Sequence, residues 1–152
     1  MKKILIIITI FFSTISTISA EEIKRIVVGN KDAKITIIAF ESLTCSHCAN
    51  FHKDVFPELK KEYLDTCLAK IEFRHFPLDI AAFNASKVSQ CNNDGDSKIL
   101  NSLYANQQKW VKGSSAQEAN ENLQKFLVSE GYSIDFNTVS YTHLTLPTTP
   151  YV

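Results

Sequence analysis

The sequence predicts an α/β domain in which a parallel strand, helix, strand unit carries a block of helices behind it. Three observations lead there. A β-branched apolar run at 35–40 gives way to helical spacing at Ala49, Phe51, Val55, Phe56 and Leu59. A second run at 71–76, rich in β-branched and aromatic residues, closes on Pro77. Three amphipathic patterns then follow with no strand between them. Strand, helix, strand at this spacing is a right-handed parallel βαβ unit, and consecutive helices after it make a helical subdomain rather than more sheet.

Residues 1–20 carry Lys2 and Lys3, then an apolar body that thins into Ser and Thr and closes on Ile18-Ser19-Ala20. This is a secretory signal pattern with cleavage expected near Ala20. Its last third is too polar for a comfortable membrane span, which leaves an uncleaved anchor as the alternative. Export puts the remainder in an oxidising compartment, where four cysteines can be redox-active or bridged.

Residues 22–34 are polar, with Ile26-Val27-Val28 as a short strand and Gly29-Asn30-Lys31-Asp32 as the turn into the next one. The run 35–40 has the length and composition of a buried strand. The helix after Cys48 runs toward Tyr63 with Pro57 inside it, so a kink is expected there. Helices are then expected at 80–91, 97–112 and 116–130, separated by Asn92-Asn93-Asp94-Gly95-Asp96 and Lys112-Gly113-Ser114-Ser115, with Gly131 as the final stop. Their aromatic residues are most simply core.

The chain has 152 residues, 16 basic and 16 acidic side chains and 45% apolar content, which suits one ordinary globular domain. A zero net charge supplies no electrostatic footprint for nucleic acid or an anionic membrane. There is no internal repeat and no low-complexity tract.

The chemistry concentrates where the first strand meets its helix. Cys45 falls in the first turn and Cys48 one turn on, so the two thiols share a helical face. Unpaired N–H groups and the positive end of the helix dipole favour a thiolate at Cys45. Cys48 points inward, so Cys45 forms the mixed disulfide and Cys48 resolves it. A protonated His47 would stabilise the Cys45 thiolate further. The competing reading is half a zinc site helped by His47 or His52, but a closed site needs a second ligand pair and none is evident, so no metal and no cofactor beyond the dithiol is expected.

At this point the residues carry a resemblance. Gly29-Asn30-Lys31-Asp32-Ala33-Lys34-Ile35-Thr36-Ile37-Ile38, then Leu43-Thr44-Cys45-Ser46-His47-Cys48-Ala49-Asn50-Phe51-His52, Val55-Phe56-Pro57 and Arg74-His75-Phe76-Pro77-Leu78-Asp79 resemble the DsbA group of exported thiol–disulfide oxidoreductases, above all alphaproteobacterial, rickettsia-like members. The resemblance runs from Ile26 to about Thr138. It implies a thioredoxin-like fold, residues 21–79 forming its N-terminal βαβ part and residues 80–138 most of an inserted helical subdomain. It also implies Cys45 as nucleophile, Cys48 as resolving thiol and a periplasmic location. Reduced or unfolded exported proteins are the implied clients, and a DsbB-like membrane partner resets the dithiol.

Two positions depart from the group's pattern. Ser46 stands where a proline is usual and could retune the redox potential. Ala39 stands where a buried carboxylate is usual, while Glu41 lies two residues later on the same strand face. Glu41 is expected to be a solvated strand end, with a shifted proton-handling role as the alternative.

The end of the chain departs more. The group's fold requires a cis-proline loop, two further strands and a closing helix after the insertion, and Thr149-Pro150-Tyr151-Val152 only imitates the loop. Residues 139–148 resemble the conceptual translation of a transposase sequencing adapter. We therefore expect 139–152 to be a non-native tail in which His143 and Pro150 have no function, and the chain as written to be an incomplete and inactive form of the enzyme. In resembling proteins a cysteine at the position of Cys91 often has a partner just after a segment like Phe136-Asn137-Thr138; a Cys67–Cys91 bridge is the alternative. The rival functions are a disulfide isomerase or reductase, which would need a dimerisation module, and a non-catalytic truncated fragment.

Overall fold

The computed structural model describes residues 23–133 except residue 93, so the signal pattern, the region 134–138 and the adapter-like tail lie outside the described residues. Strands β1 (Ile26–Gly29), β2 (Ile35–Glu41) and β3 (Ala69–His75) form a sheet in the order β1-β3-β2. β2 runs parallel to β3 from the pair Ile35 and Ala69 to the pair Glu41 and His75, as the strand, helix, strand pattern requires. β1 is antiparallel to β3, pairing Ile26 with Phe73. Gly29 ends β1 at a φ of +105°, where a Cβ would stand 2.8 Å from the Ala69 carbonyl oxygen, so only glycine fits.

Helices cover one face of this sheet. Ile26, Val28, Ile37, Ala39, Ile71 and Phe73 project into that layer, following the two-residue period of a strand. The other face carries Thr36, Ile38 and Phe40, and Ile35, Ile38 and Phe40 are 59%, 44% and 58% exposed among the described residues. This corrects the expectation of a buried β2. A continuous apolar run reads as a strand covered on both faces, and the described residues cover only one.

Between β2 and β3 the chain is helical from 46 to 64, in four segments. These are α1 (Ser46–Asn50), a π turn (Phe51–Val55), α2 (Phe56–Leu59) and a second π turn (Lys60–Leu64). Pro57 is the second residue after the first π turn, whose wider i to i+5 bond joins the Phe56 N–H to the Phe51 carbonyl. The irregularity expected at Pro57 thus takes the form of a widened turn on its N-terminal side. Cys67 closes the run at a φ of +63°, with its N–H on the Leu64 carbonyl and the Leu68 N–H on the Tyr63 carbonyl.

The helical block comprises α3 (Ile80–Ser89), α4 (Lys98–Ala105), α5 (Gln107–Trp110) and α6 (Ala116–Ser129). Asp79 caps α3 by accepting the Ala82 N–H, and Ser115 caps α6 by accepting that of Glu118. Gly131 ends α6 at a φ of +84°, with its own N–H on the Val128 carbonyl and the Tyr132 N–H on the Leu127 carbonyl. The helix expected over 97–112 is broken at Asn106. There the Asn106 side chain donates to the Ser102 carbonyl and the Trp110 indole N–H to the Leu103 carbonyl, so side chains satisfy the last turn of α4. One apolar core joins the block to the sheet, running from Ile26, Ile71 and Phe73 through Phe56 to Leu103, Trp110, Leu123 and Leu127.

Candidate redox site

β2 delivers the chain to a tight turn, 42–45, held by partners from outside it. The Cys45 N–H returns to the Ser42 carbonyl at 3.0 Å. Ser42 Oγ lies 3.2 Å from Thr44 Oγ1 and accepts the Leu78 N–H, while Thr44 Oγ1 donates to Asp79 Oδ2 at 2.7 Å. Gln107, on α5, donates its side-chain amide to the carbonyls of Leu43 and Cys45 at 2.9 and 3.0 Å. Leu43 is fully buried beneath. The turn is therefore anchored to the start of α3 on one side and to α5 on the other.

Cys45 is the extended residue that caps α1, with φ −79° and ψ 120°. It sits one residue earlier than the expected first helical turn, which aims the following N–H groups at its sulfur. The backbone N–H of Cys48 is the strongest influence lowering the Cys45 pKa, with the Cys48 thiol and the His47 N–H adding to it; burial and the Glu41 charge oppose them. Burial pushes the Cys48 thiol up to about 11, assisted by the charges at Cys45 and Glu41, while the Ser42 N–H pulls the other way. Both cysteines are free, and each acts on the ionisation of the other. One thiol is prepared to ionise and its neighbour to keep its proton.

The remaining singled-out residues separate. Ser46 and His47 are exposed on the first turn of α1, and His47 acts on Cys45 through its backbone N–H. Glu41 is not a solvated strand end: it is 7% exposed, and its Oε2 lies 2.7 Å from His52 Nε2. The period of the strand turns Glu41 inward beneath the helical run, where a carboxylate needs a partner. His52 in turn stacks on Tyr104 with ring centroids 4.0 Å apart. The Tyr104 hydroxyl is buried without a hydrogen-bond partner among the described residues. Cys67 is an exposed free thiol after the helical run, and Cys91 a partly buried one after α3. Among the described residues no group of three or more His, Cys, Asp or Glu side chains is placed to hold a metal ion.

Tyr104 and Gln107 are the site residues that reading the sequence missed, and His52 entered it only as a helper of the zinc reading. The Phe51-His52 pair beside the dithiol was visible, but its carboxylate partner lies 11 residues away on another element. Nothing local marks Gln107, which is 64 residues from Leu43.

A thioredoxin family model matches residues 21–139. A Rickettsia bellii protein provisionally named a protein-disulfide oxidoreductase is 36% identical over 94 residues, 60% of this chain and 36% of that protein. The disulfide bond formation protein D of Bacillus subtilis is 34% identical over 47 residues, 31% of this chain and 21% of the relative. The chain thus spans about a third of the length of the Rickettsia relative. Among solved structures, Wolbachia pipientis alpha-DsbA1 superposes with a TM-score of 0.67 at 28% identity, covering 80% of this chain and 61% of that one. A protein-disulfide isomerase from Novosphingobium aromaticivorans superposes at 0.62 with 19% identity, over 77% of this chain and 71% of that one, a likeness of fold.

Proposed function

The chain belongs to the thioredoxin family, and on that premise we propose that the protein is an exported thiol–disulfide oxidoreductase of DsbA type that introduces disulfides into other exported proteins. The unequal pair at the head of α1 carries this reading: N–H groups favour the Cys45 thiolate while burial holds the proton on Cys48.

In the oxidising direction a client thiolate attacks Sγ of Cys45 in the Cys45–Cys48 disulfide. That bond breaks, and Cys48 leaves as a thiolate that takes up a proton, as its high pKa favours. A second client thiolate then attacks the client sulfur of the mixed disulfide. Cys45 departs as the stabilised thiolate, and two electrons have passed from client to dithiol. A low leaving-group pKa at Cys45 speeds this second step. Exposed Phe76, Leu78 and Ile80 adjoin the anchored turn, and they suit clients that present apolar side chains, as unfolded polypeptides do. A DsbB-like membrane partner would return the dithiol to the disulfide. Ser46 and Glu41 are proposed to tune the potential, the latter by its charge near both thiols. No helix among the described residues is long and apolar enough to cross a membrane.

Equilibration of the pair against glutathione tests the assignment. A potential nearer the value of about −120 mV typical of DsbA than the value of about −270 mV of thioredoxin is expected, and the lower value would make the protein a reductant.

A further inference from the structure

We propose that the Gln107 side-chain amide, reaching from the helical block to the carbonyls of Leu43 and Cys45, is a positioning residue that sets the backbone angle of Cys45 and so the aim of the following N–H groups at its sulfur. The inference rests on Cys45 being the nucleophile.

Gln107 is 5% exposed, and its Nε2 makes both bonds at once, at 2.9 Å to Leu43 and 3.0 Å to Cys45. The amide is itself held in place. It leaves the chain at the break between α4 and α5, between Asn106 and Trp110, whose side chains are fixed on the Ser102 and Leu103 carbonyls. Trp110 is fully buried, so the break cannot swing without disturbing the core. Gln107 therefore approaches the turn from a rigid base.

The Cys45 carbonyl is the atom that fixes the ψ of Cys45. It accepts the Ala49 N–H at 3.2 Å, within the helix, and the Gln107 amide from outside it. Rotating that peptide plane would turn the N–H groups of His47 and Cys48 away from the sulfur they stabilise. The Leu43 carbonyl, held by the same nitrogen, fixes the other end of the turn. Gln107 is itself neutral, and the groups that act on the Cys45 thiol are the Cys48 thiol and N–H, the His47 N–H and the charge of Glu41, which is paired with His52. Replacing it changes the donor and leaves those groups in place.

The test follows Cys45 alkylation by iodoacetamide against pH in the full chain, read at the Cys45 peptide by mass spectrometry. Gln107→Ala should raise the pH of half-maximal reactivity by about half to one unit, the size expected for loss of one neutral hydrogen bond on the thiolate side. Gln107→Glu, which sets a carboxylate against two carbonyls, should raise it at least as far at neutral pH. A folded Gln107→Ala chain that melts lower yet titrates unchanged would reduce Gln107 to a structural peg and overturn the proposal. Should neither variant keep the circular dichroism of the parent, the unsubstituted chain decides. Its Gln107 side-chain NH₂ resonances should move as Cys45 is alkylated, and static resonances overturn the proposal. An ordinary thiol titration of Cys45 in the unsubstituted chain would instead defeat its assignment as nucleophile.

Discussion

The carboxylate of Glu41 and the imidazole of His52 meet at 2.7 Å with 8% and 6% of their side chains exposed. Glu41 should therefore matter twice. Glu41→Ala removes the partner of a buried ring nitrogen and should destabilise the chain by about 1–3 kcal/mol. The same change removes a negative charge that raises the pKa of both thiols, so Cys45 and Cys48 should ionise at lower pH. Denaturant melts and thiol alkylation check the two effects separately. Thiol titrations that stay put would confine Glu41 to folding.

Cys48→Ala should accumulate mixed disulfides with a reduced client, and Cys45→Ala should not, because only Cys45 is prepared to act as a thiolate. Equal trapping by both single variants would remove the division of roles. The same asymmetry should make the reduced form more stable than the oxidised form. With its folded pKa depressed, Cys45 contributes stability that is fully present above its unfolded value and lost as pH falls through the folded one. Melts of the reduced form over that range should show the loss, and the disulfide form should not.

His75, at the end of β3, bonds Ser89 Oγ through Nε2 at 2.8 Å, and burial pushes its pKa from 6.5 down to about 4. A histidine depressed by folding contributes stability above its unfolded pKa and loses it as pH falls toward the folded one. Stability should thus decline between pH 6.5 and about 4, and His75→Gln should flatten that part of the profile. Because His75 keeps partial solvent access, the loss should fall short of that for a fully enclosed ring. An unchanged slope in the variant would assign the acid sensitivity elsewhere.

Asp79→Ala removes both the cap of α3 and the acceptor of the Thr44 hydroxyl. A loss of about 1–2 kcal/mol is expected from the cap, read as a lower Tm. Asp79→Asn should recover most of it, since an amide oxygen can still accept the Ala82 N–H.

The strand, helix, strand unit was legible because period-2 and period-3.6 patterns are local, and so was the dithiol, whose spacing is its signal. What sequence reasoning misplaced depends on the third dimension. Leu103, Tyr104 and Trp110 keep a helical spacing across Asn106, so one long helix was expected where side-chain bonds support a break. Glu41 ends a strand, and a terminal carboxylate reads as solvated; only the layer above β2, with His52 in it, makes the position interior. The apolar content of β2 signals two covered faces, of which the described residues supply one.

The π turn at Phe51–Val55 has a bearing on chain length as well as shape. A π turn accommodates one residue more than the α turn it replaces. Deleting one residue there would let the backbone close to regular α geometry while Cys45 and Cys48 keep their orientation relative to Leu59 and Leu64, because the wide turn absorbs the extra residue locally. The dithiol would keep its aim, whereas a residue lost from regular helix on either side would turn it by roughly 100°. Spacing between Cys48 and Pro57 can thus differ by one residue at this turn, and a one-residue gap there in an alignment should mark a relative with a regular helix whose thiols point the same way.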